Sequence, residues 1–518
     1  MKRNKKIKKM LIYGILGLLL GFRFLMIFVN LGWNDDMARD QIYARLLFKN
    51  QSMVDLGHWN SVLGVSYPPY YYYILASIRS VHDSYGMVLL VHVILGIVAL
   101  VFIYKITKVL SSKTEAIIAV SLCTISPIMI NVNSSVWSSY FSTSIGIIAM
   151  YWGINAFYSK PQNMTQITLA IITTSFLTTI FYGATLQLLL LVVLMFWLGN
   201  RGVVKKIFIF LLAITAFSLF NFKLVSQNSV LHLINLNLNP VLDTNIVNYK
   251  NFFSQLYFNM SDNIIKPRFV VVFSVTFLLL FIIYFFSRNK RTTKIIVGSL
   301  LVYTLFGFFF SAKTGEAYHG IFQYPFIYVL FAIFSKKIIT TIKGKTSYFV
   351  YIFLIVSMFY AVFPQQLFKN FINKNMSKYS LIKDYSFLIL NKNKDNNVLI
   401  LSPFEKNGTA IYWQSANFWY YDTFTNPKNY ELQPTSLCRV ATGGICYSNI
   451  PDMIILLCAF NENKLNNFLY PISPGLCSNE LARIESLVGS NVRHKVDEIN
   501  YITVDKNKYL KLKESLLE

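Results

Sequence analysis

The sequence predicts an α-helical polytopic membrane protein of about eleven transmembrane helices, with a small α/β domain at its C-terminal end. Three observations carry this reading. Of the 518 residues, 54% are hydrophobic and 14% charged, whereas a soluble domain carries about 25% charged residues. Apolar runs of roughly 17–21 residues, the length that crosses a bilayer core as a helix, recur along the chain. Lys and Arg gather at alternate ends of those runs. Disorder is excluded, because 44 Phe and 33 Tyr supply far more apolar surface than a disordered chain carries.

In chain order the spans fall near residues 10–30, 86–104, 116–132, 140–158, 165–181, 182–199, 207–224, 269–287, 295–311, 320–335 and 347–364. The fifth and sixth come from one 35-residue run, 165–199, too long for one crossing and divided near Tyr182-Gly183. The N-terminal MKRNKKIKKM resembles the n-region of a signal peptide, but the apolar stretch behind it is long, contains Arg23 and lacks a small-x-small cleavage site. It reads as an uncleaved first span with a cytoplasmic N-terminus. Eleven crossings then leave the C-terminus outside, in a multi-pass protein of the cell membrane.

Charge follows the same topology. The segments placed inside are 1–9, 105–115, Lys160, 200–206, 287–294 and 336–346. Together they hold 21 Lys and Arg against one acid, Glu115, and so carry +20 of the formal net charge of +25. Positive-inside patterning accounts for the basic balance, and no nucleic-acid partner is expected.

Three long segments fall outside: 31–85, 225–268 and 365–518. Residues 1–364 therefore read as the transmembrane domain, with 31–85 as its first outer loop. The 154 residues of 365–518 suffice for an extracytoplasmic domain. In it VLILSP (398–403), MIILLCAF (453–460) and INYITVD (499–505) have strand patterns, and NELARIESLVGS (479–490) has helical spacing. In the first outer loop, ARDQIYARLLFKN (38–50) puts Ile42, Leu46 and Leu47 on one helical face and Arg39, Arg45 and Lys49 on others. YPPYYYYILASI (67–78) opens on Pro68-Pro69 and is densely aromatic. Both read as interfacial helices.

The string GWNDDMARDQ (32–41) sets three carboxylates, Asp35, Asp36 and Asp40, around Arg39, just beyond the first span. On residues alone it reads equally as a solvated helix start, with Asp35 or Asp36 as N-cap and Arg39 pairing one turn back. As chemistry, a carboxylate near the lipid surface takes a proton from an acceptor hydroxyl, and a nearby cation stabilises a phosphate leaving group. Asp36 and Arg39, one turn apart, supply one of each.

DDMARD (35–40), followed by SYPPYYYYILA (66–76), a multi-span body and an outer C-terminal domain, resembles a C-type membrane glycosyltransferase. The similarity is to the branch of protein O-mannosyltransferases and lipid A aminoarabinose transferases. YHGIFQYPFIYVL (318–330) adds a weaker match. The resemblance implies a polyprenyl-phosphate sugar as donor, transfer with inversion to an acceptor glycan, lipid or protein, and Asp36 as general base. It implies substrate-binding roles for Arg39, Asp40, Tyr67, Pro68 and Tyr70. The sequence departs from the family pattern at Met37, where Glu is common, and at Tyr67, where some members place a phosphate-binding Lys. It also departs in NVNSSVWSSY (131–140), which lacks a second acid.

Further cations lie on the outer side. Lys266 and Arg268 flank Pro267, and Lys313 and His319 fall between spans nine and ten. They read either as interfacial snorkelling or as a patch in which Arg268 or Lys313 joins Arg39 on the donor phosphate and His319 bonds substrate. Tyr324 and Pro325 either shape the donor groove or simply pack. The Phe-rich stretches 277–286 and 305–310 either line an apolar groove or face lipid. Cys438, Cys446, Cys458 and Cys477 permit disulfides outside, with 438–446 and 458–477 favoured by proximity, and Cys123 packs within span three. Metal-ligand spacing is absent, so neither a metal nor another cofactor is expected. The rival functional readings are a transporter or flippase, which would carry ionisable residues within its spans, and a scaffold presenting the tail.

Overall fold

A computed structural model describes residues 14, 17–28, 31, 35–50, 57, 59–60, 65–159, 163–198, 203–222, 282, 284, 290–314, 320–341, 345–362, 398–401, 453–457, 493–496 and 499–505. In chain order the elements are α1 (Gly17–Phe28), α2 (Asp35–Asn50), β1 (Trp59–Asn60), β2 (Val65–Ser66), α3 (Tyr70–Val81), α4 (Tyr85–Leu110), α5 (Lys113–Ile125), α6 (Pro127–Ser134), α7 (Ser138–Tyr158), α8 (Met164–Leu177), α9 (Ala184–Leu198) and α10 (Val203–Phe220). Then come α11 (Arg291–Thr314), α12 (Tyr324–Thr341), α13 (Lys345–Val362), β3 (Val398–Leu401), β4 (Met453–Leu457), β5 (Arg493–Val496) and β6 (Ile499–Asp505). The chain falls into two compact units, Met1–Asn30 with Leu89–Asn375, and Leu31–Val88 with Met376–Glu518.

The first unit is a helical bundle. Helix α4 is long and apolar enough to cross a bilayer, and α5 and α6 pass that test together as a bent pair. Helices α1, α8, α9, α10, α12 and α13 contain shorter apolar stretches. Along α4 the buried positions Val88, His92, Gly96, Ala99, Ile103, Ile106 and Leu110 recur every three or four residues, while Leu90, Ile94 and Val101 are exposed. This is the two-sided pattern of a helix packed inward and facing an apolar medium outward. Trp197 on α9, Phe208 on α10 and Phe349 on α13, the last 80% exposed, repeat it. Water would penalise such a belt and lipid does not.

Each span expected at 86–104, 140–158, 165–181, 182–199, 207–224, 295–311, 320–335 and 347–364 coincides with a helix, and the break expected near Tyr182-Gly183 lies between α8 and α9. The span expected at 269–287 lies outside the described residues except for 282 and 284.

The run 116–132, expected as one span, is a pair of helices bent by 64° at Ser126. Pro127 has no N–H to offer the carbonyl of Cys123 one turn back, so the helical ladder stops there. Arg23 of α1, fully buried, takes up the freed acceptors. Its Nη1 donates to the carbonyls of Cys123 (2.9 Å) and Thr124 (3.1 Å), and its Nη2 to the carbonyl of Met129 and to Asn133 Oδ1. Its Nε donates to Asn133 Oδ1 at 3.0 Å. The five N–H groups of a guanidinium are thereby all used. Asn133 is in turn held against α4, its Nδ2 donating to the carbonyl of His92 at 3.5 Å. A methyl group on Gly96 would overlap that Nδ2 and displace the Asn133 amide.

The break also packs on α12, with Ser126 Oγ 2.6 Å from Tyr328 Oη and Cys123 Sγ against the carbonyl of Pro325. Three turns away Lys336 Nζ pairs with the buried Glu115 at 3.2 Å, so α5 and α12 run antiparallel. Tyr158 Oη donates to Thr293 Oγ1 at 2.8 Å, joining α7 to α11. Interhelical bonds from Gln187 Nε2 to the carbonyl of Gly146 (2.8 Å) and from Asn221 Nδ2 to Thr178 Oγ1 (2.9 Å) tie α9 to α7 and hold Asn221 beside the end of α8.

In the second unit the described tail is a sheet of order β3-β4-β6-β5, parallel between β3 and β4 and antiparallel elsewhere. The apolar MIILL of β4 takes a central place in that order, between β3 and β6. Strand β5, Arg-His-Lys-Val, was not expected from sequence; it is an edge strand, where charge blunts further pairing. The helix expected at 479–490 and the four tail cysteines lie outside the described residues.

Replacing Arg23 by Leu strands three carbonyls and an amide oxygen, and should lower stability by about 2–4 kcal/mol. Gly96→Ala, which overpacks the same place, should lower it by about 1–3 kcal/mol. Denaturant titration in detergent, read by near-ultraviolet circular dichroism, measures both.

Candidate functional site

The two motifs within residues 31–85 form a helix pair. Acidic residues at the start of α2 suit the positive end of its dipole, and no Gly or Pro interrupts the sixteen residues. Met37, Asp40, Gln41, Ala44 and Leu47 fall on one buried stripe of the helix. Two polar groups thus sit on the covered face, and Arg45 beside it is buried as well. That departs from the expected surface pattern, in which Arg45 lay away from the covered side. Its physical cause is α3, which packs on α2, and the Asp83 carboxylate that follows α3. Met37 is buried at 3% exposure, which accounts for an apolar residue where the family pattern has Glu.

Pro68-Pro69 starts α3. The Pro69 carbonyl accepts from the amides of Tyr72 (3.0 Å) and Tyr73 (3.3 Å), and Tyr71, Leu75 and Arg79 fall on one buried stripe at four-residue spacing. Tyr72 stacks on Tyr43 of α2, rings 4.8 Å apart and 10° from parallel. Tyr67 and Pro68 are buried and Tyr70 is half-buried. The stretch before them is tied down: β1 and β2 pair antiparallel, and the Gly57 amide donates to the Tyr67 carbonyl at 2.6 Å. A methyl on Gly57 would meet the Pro68 carbonyl oxygen at 2.5 Å.

At the far end of the pair Arg79, 0% exposed, donates from Nε (3.1 Å) and Nη2 (3.0 Å) to Gln41 Oε1 of α2. Its Nη1 donates to Asp83 Oδ1 at 2.7 Å, and Asp83 Oδ2 lies 3.5 Å from Arg45 Nε. One carboxylate therefore bridges two arginines from two helices. Sequence reasoning missed Gln41, Arg79 and Asp83. The available signal was the four-residue spacing of Arg79 and Asp83, with the Arg on the Tyr71-Leu75 stripe.

Asp36, Arg39, Asp40, Tyr67, Pro68 and Tyr70 thus share one unit, on two packed helices and the turn that joins them to the preceding strand. The side chains of Asp36 and Arg39 lie outside the described set; their backbone positions are one turn apart near the start of α2. Asp40 is fully buried. Tyr324 belongs to the other unit, where it starts α12 and is buried after the turn closed by Gln323 N–H to the Gly320 carbonyl. Lys313 is in the last turn of α11 with its side chain undescribed, and Arg268 and His319 lie outside the described residues. Among the described residues no group of three or more His, Cys, Asp or Glu could hold a metal ion.

The chain shares its fold with a solved protein, ArnT. Two solved structures carry that likeness. ArnT from Cupriavidus metallidurans bound to undecaprenyl phosphate matches with a TM-score of 0.56 at 11% identity, over 95% of this chain and 98% of that one. The same protein in the apo state matches with a TM-score of 0.57 at 10% identity, over the same shares. No protein-family model and no curated protein sequence matches the chain.

Gly57→Ala should force the Tyr67-Pro68 backbone to shift and destabilise the second unit by about 1–3 kcal/mol. Proteolytic susceptibility of the folded protein across 51–70 is the measurement.

Proposed function

We propose that this chain is an integral-membrane glycosyltransferase that moves a sugar from a polyprenyl-phosphate donor to an acceptor hydroxyl at the outer face of the membrane. The observation that carries the reading is the packing of the DDMARD helix against the YPPYYYY helix in a chain that shares the fold of ArnT over 95% of its length. That ArnT structure holds undecaprenyl phosphate. Here such a lipid would be the donor's carrier and leaving group.

In the proposed step Asp36 accepts the acceptor's hydroxyl proton as the hydroxyl oxygen bonds to the anomeric carbon from the face opposite the phosphate. The bond from that carbon to the phosphate oxygen breaks, and the electron pair leaves with the polyprenyl phosphate. Inversion follows from the opposite-face attack. Arg39, with Arg268 or Lys313, holds the departing phosphate, whose charge grows in the transition state. Tyr67, Pro68, Tyr70 and Tyr324 shape the donor groove, and His319 bonds substrate. The cytoplasmic-N-terminus topology is part of the same proposal. The Glu115–Lys336 and Tyr158–Thr293 contacts support it, because each joins segments or neighbours of segments assigned to one membrane face. The transporter reading is weakened by Arg23, whose donors are all engaged by fixed acceptors rather than set along a path.

Asp36→Asn should lower transfer from labelled polyprenyl-phosphate sugars by about 10²–10⁴-fold while leaving expression and helicity intact. Undiminished turnover in that variant sinks the assignment of the base. Labelled sugar crossing sealed vesicles with no glycosylated product would favour the transporter instead.

A further inference from the structure

The Arg79–Gln41 contact is more specific than packing requires. The α2–α3 pair already has an apolar seam in Met37, Ala44, Leu47, Tyr71, Leu75 and the Tyr43–Tyr72 stack. Replacing a buried polar set by apolar groups of similar volume is often neutral or stabilising, so stability alone does not call for a guanidinium there. What a guanidinium adds is direction. Two N–H groups converge on one Oε1 and a third is fixed by Asp83, so the planar group sets both the rotation of α2 about its axis and its register along α3. Gln41 follows Arg39 by two residues and Asp36 by five on the same continuous helix. A rotation at Gln41 is therefore carried to both.

We propose that Arg79 and Gln41 are positioning residues for the transfer reaction: a buried directional lock through which the aromatic motif helix fixes the orientation of the helix bearing Asp36 and Arg39. The functional half of this proposal rests on the glycosyltransferase reading above. Its geometric half does not. Gln41 acts as acceptor, since its Nε2 finds no hydrogen-bond partner among the described residues. A carboxylate at that position keeps the acceptor and loses nothing else.

The test uses the full chain in detergent or nanodiscs, with Arg79→Met/Gln41→Leu, Arg79→Lys, Gln41→Glu and Asp36→Asn compared by steady-state transfer and by backbone hydrogen exchange. The doubly apolar variant should fold with unchanged thermal stability or better. Its kcat should fall about 10–100-fold with KM for the donor within about 3-fold, as loss of positioning rather than binding predicts. Exchange across 35–50 should quicken in that variant while α7 and α8 are unaffected. Arg79→Lys, with a single ammonium in place of the fork, should behave like the double variant, and Gln41→Glu should keep kcat within about 3-fold of the parent. A folded double variant with parental kcat and parental exchange across 35–50 overturns the proposal, whatever Asp36→Asn does. Full turnover in Asp36→Asn overturns the glycosyltransferase base instead, and the exchange data then judge the lock by itself.

Discussion

A guanidinium taken out of water has five N–H groups to satisfy, and each one left empty costs more than a single made bond contributes. Arg23 meets that demand with carbonyls released where Pro127 ends α5. The 64° bend, the seat of Asn133 and the absence of a side chain at Gly96 are parts of one arrangement. Remove the arginine and the freed carbonyls lose their donors. Straighten the helix and the arginine loses its partners.

The rest of the bundle is held by similar means on a smaller scale. Helices in an apolar medium gain little from hiding apolar surface from one another, so close approach and interhelical hydrogen bonds matter more. Gly146 and Gly153 let Gln187 and Leu191 of α9 come within contact of α7. Gly307 does the same for the Gln323 side chain ahead of α12. The α2–α3 pair combines an aromatic stack with a charged lock, in which Asp83 answers both Arg79 and Arg45. In both units an arginine sets an angle that apolar packing would leave loose.

Much of this was legible residue by residue. Helices α4, α7, α8 to α10 and α11 to α13 follow from apolar runs, because a helix satisfies its own backbone and needs no information from elsewhere. The Pro68-Pro69 start of α3 and the strands at 398, 453 and 499 follow from local chemistry in the same way. The break at Ser126 differs from the single span expected there: Pro127 is its local cause, whereas the donor that meets the freed carbonyls, Arg23, lies a hundred residues upstream. Strand β5 was missed because an edge strand tolerates the charge that sequence patterns count against it.

Of the candidate site, the sequence marked the acid-and-arginine string at 35–40 and the aromatic turn at 67–73, because each is a dense local cluster along the chain. It also marked the apolar runs and the charge asymmetry, which depend on composition within a window of one helix length. The tertiary structure alone decided that the two motif helices pack, that Arg45 and Asp40 are covered, and that Gln41, Arg79 and Asp83 join them. A partner for a buried polar group is chosen by distance in space, and separations such as the 38 residues between Arg79 and Gln41 leave no trace in any local pattern.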